Sequence, residues 1–212
     1  MAVKQFGLDM NSLVELDARI KTKEINDLLD LPVTIVVNEF DDDAVESFTK
    51  GMIRAHRSGQ PIVPVIIDSY GGYVYSLLSM ISQIQSSQIP VATICRGKAM
   101  SCGSILLSCG EEGHRYMDPN AHVMIHDVSS MKWGKNEELK ASAKQTDKLH
   151  KQVFHLLAKN CGHSKDYFLD MIHEKSHAEW YLGATESKKH NIINHIHIPQ
   201  FNVSVAVDIE FG

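Results

Sequence analysis

No run of apolar residues in this sequence approaches the ~20 that a bilayer-crossing helix needs, so a membrane-spanning chain is not expected. Positive charge is not in excess: 21 Lys and Arg face 26 Asp and Glu, a net charge of −5. A basic surface for nucleic acid is therefore not expected. The first 30 residues carry charges throughout, unlike the apolar centre of a secretory leader, and the expectation is a cytoplasmic protein. Cysteine is sparse. Cys95, Cys102, Cys109 and Cys161 include no C-x-x-C pair, and free buried thiols are expected in place of a disulfide framework. No G-x-x-x-x-G-K-[ST] loop occurs, so any ATP is expected to be hydrolysed elsewhere. Internal repeats and low-complexity segments are also missing.

The 212 residues are 43% hydrophobic and 22% charged, ordinary for a globular chain with a substantial core. VTIVVNEF (33–40) is β-branched and predicts a strand. DDDAVESFTKGMIRAHRSG (41–59) predicts a helix, with Asp43 and Glu46 as a capping box, an apolar stripe of Val45, Phe48 and Met52, and Gly59 as its stop. IVPVIID (62–68) reads as a strand covered on both faces, with Pro64 at an edge or irregular position. After the turn SYGG (69–72), Val74, Leu77, Leu78, Ile81 and Ile84 recur at helical spacing. VATIC (91–95) is the next strand. This alternation predicts parallel βαβ units and an α/β fold.

Beyond it, GKAMSCGS (97–104) turns into a helix, and HVMIHD (122–127) alternates as a strand. A long helix is expected over 136–160, with Leu139, Thr146, Leu149, Val153, Leu156 and Leu157 near one face and Gly162 as a left-handed end. A helix from Ser164 through Ile172, a short one around 184–190 and a strand over 203–211 complete the expected layout.

GKAMSCGS is close to a G-x-S-x-G elbow, with Ser101 between strand and helix. A serine nucleophile needs a base, usually a group orienting that base, and two donors for the oxyanion. The first N–H groups of a helix have no partner inside it, so the N–H of Cys102 is a candidate donor. The Gly71-Gly72 turn ends the neighbouring strand, and ligands of open α/β sheets gather beyond the carboxyl ends of strands. His126 ends its strand and is the candidate base. Each feature alone also fits an ordinary turn or a structural histidine.

Together, DSYGG, ICRGKAMSCGSILLSCG and MDPNAHVMIHD resemble the proteolytic-subunit family of the Clp protease, ClpP. That family carries a Ser-Pro-Gly-Gly turn, a Gly-x-Ala-Ala-Ser-Met-Gly nucleophile turn and a Pro-Asn-x-x-x-Met-Ile-His strand. Here these correspond to Ser69–Gly72, Gly97–Gly103 and Pro119–His126, with Ser101 lying 30 residues after Gly71 and 25 before His126. The resemblance implies a crotonase-like fold of stacked ββα-type units with a protruding handle helix. It implies Ser101 as nucleophile, His126 as general base, and the N–H groups of Gly71 and Cys102 as the oxyanion hole. The family's aspartate before an aromatic-Leu-Ser-Ala segment corresponds to Glu179, ahead of Trp180-Tyr181-Leu182-Gly183, so a glutamate would orient the base.

The resemblance further implies a homo-oligomeric ring, heptameric and single or double, that encloses the sites. An AAA+ unfoldase would feed it polypeptide substrates, and no cofactor or metal is required. It divides the chain into an arm (1–31), a peptidase domain (32–200) and a C-terminal strand or tail (201–212). Tyr70 stands where the family has proline, and Cys102 where it has methionine. DVSSMKWGKNEELK lacks the family's Gly-Gly and Gly-Gln-Ala pattern, and the arm does not match the segment that meets the unfoldase.

Two other readings stand beside this one. Residues 173–177 spell HEKSH, a literal H-E-x-x-H that on a helix would offer His173 and His177 to zinc, with Glu174 as base. Trp180 occupies the place of the glycine in the extended zinc motif, and no third ligand follows by spacing. The same fold could also serve as a catalytically weak or inactive ring subunit, since fold alone does not establish chemistry.

Overall fold

A computed structural model describes residues 32–128, 133–174 and 179–201. The arm over 1–31, the expected strand over 203–211 and His177 of HEKSH lie outside them. Among the described residues no helix is long and apolar enough to cross a membrane.

Among the described residues, six strands form one mixed sheet: β1 (Ile35–Val37), β2 (Val63–Ser69), β3 (Val91–Met100), β4 (Arg115–Met117), β5 (His122–Ile125) and β6 (Trp180–Gly183). The path runs β1-β2-β3-β5-β6, with β4 also paired to β3. All pairs are parallel except β5 with β6. The helices among the described residues are α1 (Asp42–Ser58), α2 (Val74–Gln85), α3 (Cys102–Leu107), α4 (Asn136–Asn160), α5 (Tyr167–Glu174) and α6 (Ala184–Lys189). The α/β, crotonase-type expectation describes this layout.

Several local expectations change for physical reasons. The first strand is shorter than 33–40, with Phe40 kept only as an isolated bridge to Gly72. The α1 cap is Asp41, whose carboxylate accepts from the Ala44 N–H at 2.8 Å, while Asp43 lies inside the helix and Glu46 pairs with Lys50. Pro64 sits inside β2, yet the ladder to β1 begins only at Val65, so its missing N–H faces no partner on that side. The strand β3 runs on to Met100, so GKAM is extended backbone and the turn is confined to Ser101. Gly59 and Gly162 take the left-handed conformation expected of helix ends, at φ 74° and 70°.

The core lies between the sheet and its helices. The α1 helix contributes Phe48, Met52 and Ala55, and α2 contributes Leu77, Met80, Ile81 and Ile84. The α4 helix buries only Val153, Phe154, Leu157 and Ala158, all in its second half. Leu139, expected on the apolar face, is exposed, so the first half of α4 projects from the body. Gln145 ties this half back by donating to the Tyr75 hydroxyl at 3.0 Å.

A buried cation opens β4. Arg115 is 1% exposed and donates to Asn194 Oδ1 and to the carbonyls of Asn160 and Asn191, with Glu112 as its ionic partner. One guanidinium thus joins β4, the end of α4 and the segment after α6.

Candidate active site

The parallel strands β2 and β3 end side by side, Ser69 opposite Ala99. Their exits therefore bring SYGG and Ser101 together. Ser101 has φ 55° and ψ −119°, a region that residues with a Cβ adopt only under strain. Three contacts over-determine it. Its N–H donates to the Met124 carbonyl at 2.8 Å, and its own carbonyl accepts from the Ser104 N–H at 3.0 Å and the Ser104 hydroxyl at 2.7 Å. The strained angle turns β3 sharply into α3 and presents the serine side chain at the junction.

Gly71 approaches Ser101 so closely that an added Cβ would stand 2.7 Å from Ser101 Cβ, and its φ is 110°. Both facts demand glycine. The Gly71 N–H donates to the buried Ser69 hydroxyl at 3.0 Å. This donor, expected at the oxyanion, thus already has an internal partner in the resting site. Next to it, Gly72 accepts the Cys102 thiol through its carbonyl at 3.3 Å. Burial pushes the Cys102 thiol up to about 11, so its sulfur stays protonated and unreactive near neutral pH. The N–H of Cys102 opens α3, ahead of the helix's own hydrogen-bond ladder.

His126 follows directly on β5 and is half-buried. It lines one cleft with Ser101, Cys102 and Gly72, whose apolar wall includes Leu77, Ile105, Ile125 and Phe154. Among the described residues, no hydrogen bond joins His126 to Ser101. Glu179 is not brought into the cleft. The β5–β6 register sets Ile125 opposite Trp180, and its continuation puts Glu179 across from His126. The Glu179 carboxylate is exposed, however, and accepts the Tyr181 hydroxyl at 2.7 Å.

Sequence reasoning missed three partners of this site. Met124 matters only through its carbonyl, which carries no side-chain signature. Ser69 was read as part of a turn, although Ser two residues before a glycine is the pattern of a serine-turn hydrogen bond. His150 on α4 accepts the Val128 N–H at 3.3 Å and stands 3.8 Å from Asp127, beside His126. Twenty-four residues separate it in sequence from His126, and no local spacing would have flagged it. In HEKSH, His173 and Glu174 are exposed at the end of α5. Among the described residues no group of three His, Cys, Asp or Glu could hold a metal.

Comparison with known proteins bears on the same residues. A sequence model described as Clp protease matches residues 17–200. The chain is 32% identical over 144 residues to the "ATP-dependent Clp protease proteolytic subunit 1" of Salinibacter ruber (strain DSM 13855 / M31). That match covers 68% of this chain and 60% of the relative, so it spans less than two thirds of the relative's length.

Proposed function

This chain belongs to the Clp protease family, and from that footing we propose that it is a serine endopeptidase acting through Ser101 and His126. The observation that carries the reading is the strained Ser101, held at a strand–helix junction in one cleft with His126. Strain of this kind persists only where surrounding contacts impose it, and it clusters at functional sites.

In the proposed reaction, His126 takes the Ser101 hydroxyl proton as the serine oxygen attacks the peptide carbonyl. The C–N bond then breaks, and the imidazolium returns its proton to the leaving amine. Water, deprotonated by His126, releases the acyl group and regenerates Ser101. The Cys102 N–H meets the oxyanion, joined by the Gly71 N–H once it shares or leaves its bond to Ser69. Glu179 orients His126 after releasing Tyr181; the strand register that sets it across from the histidine supports this role.

The substrates are unfolded polypeptides, cleaved in the cytoplasm within a homo-oligomeric ring and delivered by an ATP-dependent unfoldase. The family of the chain and the name of its Salinibacter relative support this. A weakly active ring subunit is the second reading, favoured by the internal engagement of Glu179 and of the Gly71 N–H. A fluorophosphonate probe separates the two. It should label wild type and leave Ser101→Ala unlabelled; equal labelling of both removes Ser101 as nucleophile.

A further inference from the structure

Between β2 and β3 the register slips: Ile67 faces Cys95, but Ser69 faces Ala99. Such an irregularity bends a strand and re-aims its side chains. Asp68 lies in the slip, and Lys98 reaches it across the sheet with its ammonium 2.8 Å from Oδ1. The same ammonium stands 4.5 Å from the centroid of the Tyr70 ring. One cation therefore joins a carboxylate and an aromatic face on either side of Ser69. The Asp68 hydrogen bond is the main reason that Lys98 holds its proton more tightly than usual.

Tyr70 is 71% exposed, so burial does little to fix it. Gly71, which follows it, has the loosest backbone of any residue type. Yet this glycine must be placed closely, because a Cβ added to it would stand only 2.7 Å from Ser101 Cβ. On the other side Gly72 is fixed by the Phe40 bridge.

We propose that Lys98 is a positioning residue, which clasps Asp68 and the Tyr70 ring to hold the turn carrying Gly71 against Ser101. This inference rests on the serine-peptidase reading of the site. An oxyanion donor acts in the transition state, so loosening it lowers kcat and kcat/KM together and leaves KM alone. Removing a whole donor typically costs 10²–10³-fold in kcat. A loosened donor costs less, and a loss of about 3–10-fold is expected. A surface ion pair that serves only stability would change the melting temperature without a selective effect on kcat.

The test uses the full chain and a short fluorogenic peptide. Lys98→Met and Tyr70→Ala should each lower kcat about 3–10-fold with KM within about twofold of wild type. The double variant should lose no more than either single one, because both break one clasp. Lys98→Arg retains both the carboxylate pairing and the stacking and should restore most of kcat, as should Tyr70→Phe. Unchanged kcat in Lys98→Met, a rise in KM in place of the fall in kcat, or losses that multiply in the double variant would overturn the clasp. Amide hydrogen exchange over residues 69–72 gives a readout without catalysis. It should quicken several-fold in Lys98→Met, and an unchanged rate refutes the proposal. If fluorophosphonate fails to label wild type at Ser101, the peptidase reading falls, and the exchange result decides on the clasp alone.

Discussion

The N–H of Ser101 donates to the carbonyl of Met124 at 2.8 Å, tying the candidate nucleophile to the strand that leads into His126. The bond helps to hold Ser101 in a conformation that costs roughly 1–3 kcal/mol for a residue with a Cβ. Ser101→Gly should therefore be the more stable of two inactive variants, exceeding Ser101→Ala by about 1 kcal/mol. Denaturant midpoints of the two proteins check this. Equal midpoints would mean that the elbow stores no strain.

Gly71→Ala should abolish labelling of Ser101 while the chain still folds. The new Cβ would stand 2.7 Å from Ser101 Cβ and 3.1 Å from the Met100 carbonyl, so the turn must move off the serine. Probe labelling alongside circular dichroism separates a displaced site from an unfolded chain.

Glu179→Gln should lower kcat at least tenfold if the carboxylate orients His126, since a neutral amide cannot steady an imidazolium. Tyr181→Phe should then raise kcat, because it frees the carboxylate that the tyrosine hydroxyl now occupies. Peptide turnover by the two variants measures this. Activity unchanged in both would take Glu179 out of the mechanism.

The cysteines give a pH prediction. Burial pushes Cys95, Cys109 and Cys161 up to about 12 and Cys102 to about 11. An unfolded thiol titrates near ~8.5, so between that pH and the folded values the native chain binds more protons than the unfolded one. Stability must then fall as pH rises through that window. Urea midpoints at pH 7 and pH 10 should show the decline. The buried thiols of Cys95, Cys102 and Cys161 should also resist a maleimide at pH 7.5 and react only on unfolding.

Arg115→Met should destabilise the fold by about 1–3 kcal/mol for each acceptor left buried without its donor, while the exposed Glu112 carboxylate can turn to water. It removes the donors to Asn160, Asn191 and Asn194 at once. Thermal unfolding of the variant tests this, and a shift of only a degree or two would contradict it.

The alternation from β1 to α3, and the strand β5, were legible because β-branched runs alternate with apolar stripes at helical spacing. The strands β4 and β6 were not, since three or four residues carry no period and their place comes from pairing with β3 and β5. Ser101, Cys102 and His126 were legible as a group through the order and spacing of the three motifs that resemble the family's. What escaped was set by backbone or by distance. The strand β3 swallowed Gly97 to Met100 since Lys98, Ala99 and Met100 find ladder partners in β5, a pairing no local pattern reveals. The Asp41 cap displaced Asp43 because its side chain reaches the Ala44 N–H first. Glu179 could be placed by its neighbours Trp180 to Gly183, but its grip on Tyr181 is a side-chain choice that spacing does not encode. Lys98 carries no local signal of its role, since its two partners lie about 30 residues away.

The two halves of α4 do different work. Val153 and Phe154 form part of the cleft wall, Gln145 is pinned to Tyr75, and the stretch before it stands clear of the body. At about 1.5 Å per residue, the stretch from Gln145 back to Asn136 reaches about 14 Å beyond that pin. The cleft wall is thus built by the half of α4 that Val153, Phe154, Leu157 and Ala158 anchor in the core, and the other half is left as a handhold on the solvent side.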